Sequence, residues 1–478
     1  MTREDYNNEY DSHQCMRDNV KRDKNRLHYH LMPPAGWLND PNGLCQKDGI
    51  YHIYFQYSPY TSGGETKLWG HYSSKDLLVF KEEEPFLFPD SEIDRDGAYS
   101  GSAIVENGII HYFYTGNVKK TDRDDYDYIN EGREQNTIHM TSQDGINKSK
   151  KELVMSNKQY PENMTKHVRD PKILKKDGCY YMALGARTIE GNGCVILYKS
   201  LDLEHFEYYN IITTNEKFGY MWECPDLFEL DGHLFLVVCP QGVEQNKYDY
   251  ENVHQSGYYE VNYNFRDNQY TLGKFKELDH GFDYYAPQSF VDENGRRIQF
   301  AWMGIPDADY HNKPTVVYDW QHALTMPRLL TYKNGQIYQQ PLEEMKSLRE
   351  REYMSFIDGF NMISPNSICF EMNIDFYESE TFKVQLRDDV YLSYENNLLT
   401  LSLSESGCGR TERHIVISKI EELTIFSDTS SLEIFINGGQ EVMTTRVYSQ
   451  KQNQHVKFLT ENKGYVRYYL LKDYVILK

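Results

Sequence analysis

The chain has 478 residues and a formal net charge of -21, from 51 basic and 72 acidic side chains. Such an acidic chain is poorly suited to bind nucleic acid or an anionic membrane surface, and no stretch approaches the roughly 18 to 20 apolar residues of a membrane-spanning helix. Hydrophobic residues make up 39% and aromatic residues 14%, including 41 Tyr. This composition is globular and favours strands, and the length predicts more than one domain.

The N-terminus, MTREDYNNEYDSHQC, is polar and mixed in charge, without the apolar core of a secretory signal. The cysteines form no C-x-x-C pair and no Cys/His zinc spacing. We therefore expect reduced thiols, a cytoplasmic location and no metal site. The cysteines are Cys15, Cys45, Cys179, Cys194, Cys224, Cys239, Cys369 and Cys408.

The first motif that raises a question is GWLNDPNG at 36–43. Its Asp-Pro-Asn-Gly core suits a plain turn, since Pro presets one dihedral angle and Asn and Gly tolerate the left-handed region. The alternative is that Asp40 is a functional carboxylate placed beside strand residues. Taken alone, the motif favours the turn. The motifs in the rest of the chain favour the functional carboxylate.

Similar Asp-Gly or Asn-Gly turns recur, each followed by a run of aromatic and β-branched residues that predicts a strand. The runs are KDGIYHIYFQY (47–57), ENGIIHYFYTG (106–116), KDGCYYMALGA (176–186), LDGHLFLVVCP (230–240) and ENGRRIQFAWMG (293–304). The spacing between their turn glycines fits one four-stranded sheet per repeat. We predict a five-bladed β-propeller. Five unrelated hairpins in a β-sandwich are the alternative.

A polar residue stands about one strand length before each turn glycine. These residues are Asp40, Ser100, Asp170, Glu223 and Tyr285. Equivalent positions of a propeller are related by rotation about its axis, so we expect them to converge at one end of the central channel. Pro41 favours an extended conformation at Asp40. The three carboxylates would then share one pocket.

Carboxylates gathered in one cavity repel one another, so at least one should have a raised pKa. One ionised and one protonated carboxyl group are what glycoside hydrolysis requires. Trp37, Trp69, Trp222 and Trp302 lie in or near the motifs, and the apolar faces of sugars pack on such rings. For any single Trp, ordinary core packing is the alternative.

The motifs resemble those of the retaining β-fructosidases of glycoside hydrolase family 32. In chain order they are WLNDPNG, FQYSP with LWGHYSS, YSGSA, VRDP, WECPD and FDYYAPQ. The likeness covers roughly residues 28–340. It continues in LTIFSDTSSLEIFINGG (423–439) and MTTRVY (443–448), which are similar to the family's β-sandwich domain. We therefore expect a propeller over 1–340, a linker over 341–353 and an antiparallel β-sandwich over 354–478.

The resemblance implies three catalytic roles. Asp40 would be the nucleophile, Glu223 the general acid and then the general base, and Asp170 would hold fructose hydroxyls and stabilise an oxocarbenium-like transition state. A retaining mechanism predicts roughly 5 to 5.5 Å between the carboxyl groups of Asp40 and Glu223. No metal or organic cofactor is needed.

The resemblance also implies a set of sugar-binding residues. They are Trp37, Leu38, Asn39, Gln56, Trp69, Tyr99, Ser100, Arg169 and Trp302. Arg169 would help to ionise Asp40 and Asp170. Glu223 stands between Trp222 and Cys224-Pro225, an apolar setting that we expect to keep it protonated.

Two further segments carry predictions. The charged run KKTDRDDYDYINEGR at 119–133 is predicted to be a solvated loop, although its lysines and arginines are candidates for reaching a substrate phosphate. PLEEMKSLREREY at 341–353 has the composition of a short linker helix. The strands after it, from ICFEMNIDF to YVILK, are predicted to form the sandwich, which would support the propeller and contribute oligomer contacts.

A cytoplasmic location favours sucrose 6-phosphate as the substrate, with sucrose the nearest competitor and fructans further away. Transfer to another sugar in place of hydrolysis stays open, and so does a homo-oligomer. Three other functions also remain. They are an inverting glycosidase on the same fold, a sugar-binding propeller without turnover, and a protein-interaction propeller. The expected partner is a small sugar, with no nucleic acid and no membrane.

Overall fold

A computed structural model describes residues 1–121, 127–378, 381–450, 455–459 and 463–478. Over these ranges the strands form seven sheets, of which five are the blades of a β-propeller and two form a β-sandwich. The all-β fold class predicted from the repeats is confirmed. The Asx-Gly repeats therefore mark blades and not hairpins of a single sandwich.

Two helices precede the propeller, α1 (Arg3–Tyr10) and α2 (Gln14–Arg22). They pack against the first blade, where Tyr6 joins a small core with Leu68 and Phe88. Arg17 of α2 also donates to Glu82 at 2.6 Å. These helices were not predicted from the sequence. In the described ranges no helix has the length and apolar character needed to cross a membrane.

Each blade is an antiparallel sheet whose first strand contacts the first strands of both neighbouring blades, which closes a ring around the axis. The blades contain, in chain order, β1 Gly36–Lys47, β2 Ile50–Ser58, β3 Leu68–Ser74 and β4 Val79–Glu82; β5 Ala98–Glu106, β6 Ile109–Lys119, β7 Arg133–Ser142 and β8 Glu152–Met155; β9 Met164–Lys176, β10 Cys179–Thr188, β11 Gly193–Ser200 and β12 Glu207–Ile212; β13 Met221–Leu230, β14 His233–Gln241, β15 Gly257–Asn264, β16 Gln269–Leu272 and β17 Lys276–Glu277; β18 Tyr285–Val291, β19 Arg297–Trp302, β21 Arg328–Lys333 and β22 Gln336–Pro341.

The Asx-Gly turns connect the first and second strands of the blades, as predicted. At Asp48 and Gly49 both φ angles are positive, 50° and 76°, as a type I′ hairpin turn requires. The same pair of positive φ angles occurs at 107–108, 177–178 and 231–232. Glycine and Asx residues are needed there because other side chains rarely adopt the left-handed region.

The fifth blade is joined to the first through a short helix, α3 (Lys313–Val316), and β20 (Trp320–Gln321). β20 pairs in parallel with β1. The last strand, β35 (Val475–Leu477), pairs in parallel with β4 at the outer edge of the same sheet. YVILK was predicted to be a sandwich strand, so this is a correction: the C-terminus returns to the propeller.

The sandwich has two six-stranded sheets. One contains β23 Arg349–Asp358, β25 Phe370–Glu378, β30 Glu422–Asp428, β31 Ser431–Ile436, β32 Glu441–Arg446 and β34 Lys463–Leu471, and the other contains β24 Asn361–Ile363, β26 Phe382–Arg387, β27 Val390–Glu395, β28 Leu398–Ser402, β29 Glu412–Val416 and β33 Val456–Phe458. A short 3-10 helix, Glu405–Gly407, precedes β29.

The segment between the domains differs from its prediction. A helix was expected over 341–353, but the structure has a 3-10 helix at Glu343–Leu348 followed directly by strand β23. Glu352 pairs with Tyr469 of β34, so backbone bonds to the sandwich sheet hold these residues extended. Tertiary pairing thus overrides the helix-forming composition.

The two domains share an apolar and an ionic contact. Phe290 of the propeller belongs to one hydrophobic cluster with Phe426 and Phe435 of the sandwich. Beside it, the fully buried Arg328 donates to Glu433 at 2.5 Å and to Asp279 at 3.1 Å. Burying three charges together requires that each has a partner. The sandwich therefore packs on the propeller through both kinds of contact.

Candidate active site

A β-bulge interrupts the first strand of every blade at the same place. In the first blade Leu38 pairs with Tyr57 and Pro41 with Phe55, so that Asn39 and Asp40 together face the single residue Gln56. The same two-against-one shift occurs between 98 and 101, 169 and 172, 223 and 226, and 285 and 288. A bulge turns a side chain away from the regular pleat, so these positions can face the channel.

Backbone strain accompanies the bulges of the last three blades. Asp170, Cys224 and Ala286 have φ angles of 62°, 47° and 49°, and each precedes a proline. The left-handed region is unfavourable for such residues and is usually maintained by surrounding contacts at functional sites. At Asp170 one such contact is visible, because its backbone N–H donates to Thr115 Oγ1 of the neighbouring blade at 2.9 Å.

The bulges surround a cavity of about 660 Å³. Asp40, Asp170 and Glu223 all line it, although they come from three different blades. Cys224 links the first two carboxylates, since its Sγ lies 3.6 Å from Asp40 Oδ2 and its N–H donates to Asp170 Oδ2 at 2.9 Å. Arg169 lies 3.9 Å from Asp170 Oδ2 and also contacts Glu223. The structure thus brings the three acidic side chains together.

Asp40 is surrounded by donors. Ser100 Oγ donates to Oδ2 at 2.5 Å, and Asn39 Nδ2 donates to Oδ1 at 3.0 Å. Gln56 in turn donates to Ser100 Oγ at 2.5 Å. Burial raises the pKa of Asp40, the hydrogen bonds from Ser100 and Asn39 oppose that rise, and the nearby charge of Glu223 adds to it. The donors therefore favour the ionised form that a nucleophile needs.

Asp170 is buried beside the other two carboxylates. Burial raises its pKa to about 7, Arg169 works against this, and the charges of Glu223 and Asp40 contribute to it. The expectation that at least one of the gathered acids has a raised pKa is confirmed for both Asp170 and Asp40. Near neutral pH, Asp170 is thus poised between its two protonation states.

Glu223 has a more polar environment than its sequence neighbours suggested. Arg169 donates to Oε1 through Nε at 3.1 Å and Nη2 at 2.5 Å, and Oε2 accepts from Gln241 and from Tyr285, both at 2.7 Å. The predicted apolar setting is therefore wrong for the carboxyl group itself. Trp222 and Cys224 are buried on either side of Glu223 in the backbone, and of these three residues only Glu223 lines the cavity.

Comparison with known proteins decides the family. The model of the glycosyl hydrolases family 32 N-terminal domain matches residues 30–341, and that of the family 32 C-terminal domain matches residues 345–473. The chain belongs to glycoside hydrolase family 32. The resemblance inferred from the motifs is confirmed, and the chain is a glycosidase of this family.

Individual family 32 proteins are similar over nearly the whole chain. A sucrose-6-phosphate hydrolase of Bacillus subtilis is 38% identical over 450 residues, 91% of each chain, and a raffinose invertase of Escherichia coli is 34% identical over 90% of each. A solved sucrose-6-phosphate hydrolase of Lactobacillus gasseri superposes with a TM-score of 0.89 at 28% identity, covering 98% of this chain and 97% of the other. A β-fructofuranosidase of Bombyx mori, solved in complex with sucrose, gives 0.84 at 26% identity, covering 98% and 99%.

Most of the sugar-binding residues predicted from the family resemblance reach the cavity. Its lining includes Trp37, Asn39, Gln56, Tyr99, Ser100, Arg169 and Trp302. Leu38 and Trp69 do not line it; both are completely buried in hydrophobic clusters. This corrects the expectation that they contact a sugar. Trp69 instead donates from Nε1 to the carbonyl of Tyr99 at 3.0 Å and so supports a residue of the wall.

Arg169 also differs in part from its expected role. It was predicted to help ionise Asp40 and Asp170, and it does oppose the raised pKa of Asp170. Its hydrogen bonds to a carboxylate, however, go to Glu223. A further cation of the lining is Lys67, which was missed; its Nζ lies 4.8 Å from the centre of the Trp37 ring. Burial lowers the pKa of Lys67 to about 7, with the charge of Asp40 acting in the opposite direction.

Other lining residues were also missed, among them Gln241 and Asp283. Gln241 and Tyr285 hold Glu223, and Asp283 is fixed by the sandwich residue Arg410 at 2.7 Å. Tyr285 is the fifth-blade residue that the repeat predicted to reach the channel, and it lines the cavity. Gln241 could have been found only from pairing, because it lies across the sheet from Met221.

The charged segment 119–133 was predicted to be a solvated loop. Its residues 122–126 lie outside the described part of the chain. Of the rest, Lys119 ends β6 and Arg133 begins β7. Arg133 lines the cavity.

Across the part of the chain that the structure describes, no three His, Cys, Asp or Glu side chains are grouped to hold a metal ion.

Proposed function

We propose that this glycosidase is a retaining β-fructofuranosidase that hydrolyses sucrose 6-phosphate to glucose 6-phosphate and fructose. The observation that carries the proposal is the meeting of Asp40, Asp170 and Glu223 in one cavity large enough for a disaccharide. The phosphorylated substrate is supported by the names of the relatives, several of which are sucrose-6-phosphate hydrolases.

In this mechanism Asp40 attacks the anomeric carbon of the fructosyl unit and forms a covalent intermediate. Its Oδ2 accepts hydrogen bonds from Ser100 and its Oδ1 from Asn39, so both oxygens are oriented before attack. Orientation of this kind removes part of the entropic barrier. Water then attacks the same carbon from the face that the leaving group vacated, which restores the original configuration.

Glu223 acts as the general acid for the leaving oxygen and as the general base for water. Its carboxylate oxygens accept hydrogen bonds from Arg169, Gln241 and Tyr285. A proton on Glu223 requires that one of these groups stops donating: the Tyr285 hydroxyl can turn and accept, whereas Arg169 or the Gln241 amide N–H would have to move to another acceptor. A bound sugar supplies such acceptors in its hydroxyl and ring oxygens, so we expect substrate binding to free Glu223 for proton transfer.

Asp170 supports the transition state electrostatically. With a pKa raised to about 7, it can accept hydrogen bonds from sugar hydroxyls in its ionised form and stabilise positive charge as it develops at the anomeric carbon. Its rigid position supports this role, because the bulge, the bond to Thr115 and the bond from Cys224 hold its backbone and carboxylate.

The cytoplasm remains the proposed location. All eight cysteines are free thiols, which is typical of a reducing compartment. A phosphorylated sugar does not cross membranes unaided, so its hydrolase is expected on the side where the phosphate is added.

The decisive experiment compares kcat/KM for sucrose 6-phosphate, sucrose, raffinose and inulin. We expect sucrose 6-phosphate to have the highest value. Equal values for sucrose and its 6-phosphate would contradict the proposed substrate and leave the β-fructofuranosidase mechanism intact.

Two further measurements separate the rival functions. Proton NMR of the first fructose anomer released distinguishes retention from inversion, and net inversion would exclude a covalent intermediate on Asp40. The Asp40→Ala variant should lose turnover, whereas a propeller that only binds a sugar or a protein would show no turnover in either form.

A further inference from the structure

A group of cationic and ring side chains forms one wall of the cavity, which we call the Arg133 wall and define as Tyr128, Arg133 and His167. It stands out because the chain as a whole carries a net charge of -21. Arg133 begins β7 and pairs with Lys119 of β6, so the sheet holds its backbone. Its guanidinium carbon lies 3.2 Å from the centre of the Tyr128 ring.

The wall is connected to Glu223 through Arg169. Arg169 Nη1 lies 2.6 Å from His167 Nδ1, and Arg133 Nη1 lies 3.5 Å from the same nitrogen. Arg169 also donates to Glu223 Oε1. The Glu223 carboxylate is therefore connected to the Arg133 wall by two contacts, one with Arg169 and one between Arg169 and His167.

The contacts of His167 define which of its nitrogens carries the proton. An arginine N–H can only donate, so Nδ1 accepts and the proton of the neutral ring is on Nε2. Burial lowers the pKa of His167 and the charges of Arg169, Arg133 and Arg187 lower it further, which keeps the ring neutral. Within the described residues Nε2 is buried without a hydrogen-bond partner. A buried donor left unpaired is unfavourable, so a ligand that accepts from it gains a hydrogen bond.

The wall thus contains the guanidinium of Arg133 and, on His167, an N–H that has no acceptor among the described residues. This combination matches an anion with several acceptor oxygens, and arginine binds phosphate with two parallel hydrogen bonds. The Arg133 wall lies next to Glu223, which protonates the leaving oxygen in the proposed mechanism. The leaving sugar must lie beside that residue, so the wall is placed to contact the leaving sugar.

We propose that Arg133 and His167 form a subsite for a phosphate group carried by the leaving sugar. The inference rests on the proposed function, since it uses Glu223 as the acid and a phosphorylated leaving group. It adds to that function the residues that distinguish the phosphorylated substrate from the free one. Lys67 and Arg169 are the other cations of the cavity lining, and Lys67 is assigned no part in phosphate binding.

The test measures kcat/KM for sucrose 6-phosphate and for sucrose in the wild type, in Arg133→Gln and in Lys120→Gln. Lys120 is a matched control, because it belongs to the same hairpin region and pairs with Glu134 outside the cavity lining. We expect Arg133→Gln to lower the ratio of the two kcat/KM values at least tenfold and Lys120→Gln to leave the ratio unchanged. Arg133→Lys should fall between them, since lysine keeps the charge but lacks the planar pair of donors.

A second readout follows binding alone. Glucose 6-phosphate should inhibit sucrose hydrolysis more strongly than glucose in the wild type, and Arg133→Gln should weaken the inhibition by glucose 6-phosphate only. If Arg133→Gln folds poorly, Arg133→Lys and His167→Gln provide the same comparison.

The outcomes are distinct. A wild type that prefers sucrose 6-phosphate, with a preference that survives in Arg133→Gln, would overturn the subsite and leave the proposed function standing. A wild type without preference would overturn the proposed substrate and the subsite together, and this would be visible before any substitution is made.

Discussion

Arg169 and Glu223 meet across two neighbouring blades, with Nη2 of the arginine 2.5 Å from Oε1 of the carboxylate. They are 54 residues apart in the chain and lie on β9 and β13, the first strands of adjacent blades. Their contact places the positive charge of Arg169 beside Glu223, the residue proposed to act as the acid. In the proposed mechanism, proton transfer by Glu223 therefore depends on how a ligand redistributes the donors around it.

Replacement of this acid should affect substrates according to their leaving groups. We expect Glu223→Gln to lower kcat/KM for sucrose by roughly 10²- to 10⁴-fold, the usual contribution of a general acid–base residue. A 4-nitrophenyl fructoside should lose much less in its first step, because its leaving group needs no proton. Glu229→Gln, on the exposed face of the same strand, is the control. An equal loss for both substrates would argue against the acid role.

Removal of the Ser100 hydroxyl should change the pH dependence of the reaction. Its hydrogen bond stabilises the ionised form of Asp40, so Ser100→Ala should raise the pKa of Asp40. A hydrogen bond to a charged group contributes about 1.5–3 kcal/mol, which corresponds to a shift of roughly one to two pH units. The acidic limb of the kcat/KM profile should move to higher pH by that amount. Ser102→Ala, which removes a bond to the Pro171 carbonyl, should leave the limb in place.

Asp170 should couple protein stability to pH. Its pKa rises from 3.8 to about 7 on folding, so the folded protein holds the proton more tightly than the unfolded chain. The resulting stabilisation is complete below about pH 4 and is lost as the pH rises through about 7. Asp170→Asn, which stays neutral, should lose this dependence.

Urea unfolding at pH 5 and pH 8 measures this effect. Relative to the wild type, Asp170→Asn should gain in free energy of unfolding at the higher pH. Asp375→Asn, at an exposed ion pair with Arg467, should show no such gain. A constant difference between wild type and Asp170→Asn at the two pH values would refute the raised pKa.

The buried ions between the domains should be sensitive to loss of their cation. Arg328→Met leaves Asp279 and Glu433 without their shared cation in a fully buried site, so we expect the free energy of unfolding to fall by about 3–5 kcal/mol. Arg467→Met breaks an exposed pair and should cost about 0–1 kcal/mol. Similar urea midpoints for the two variants would show that the buried pair does not hold the domains together.

Lys67 should react unusually fast with acylating reagents. With a pKa lowered to about 7, a large share of its amine is neutral at neutral pH, whereas an ordinary lysine with a pKa near 10.5 is almost entirely protonated. Mass spectrometry after brief labelling at pH 7 should find Lys67 modified before the exposed Lys119, and bound fructose should slow the reaction. Equal labelling with and without fructose would place Lys67 outside the occupied cavity.

The sequence by itself determined the blades and the positions of the acids. Asx-Gly turns are dictated by local backbone sterics, so Asp48-Gly49 and its equivalents could be recognised without a structure. Because those turns recur at regular spacing, Asp40, Asp170 and Glu223 could be assigned to one structural position. The family motifs then supplied their chemistry.

Only the tertiary structure decided which groups these acids meet. The bulge that aims Asp40 into the channel is a mismatch of register between two strands, which exists only once the strands have paired. The bond from Arg169 to Glu223, the place of Lys67 in the cavity lining and the burial of Leu38 and Trp69 all depend on which strands and blades become neighbours. Turn chemistry acts over a few adjacent residues, whereas pairing partners and burial are set by the packing of segments tens to hundreds of residues apart.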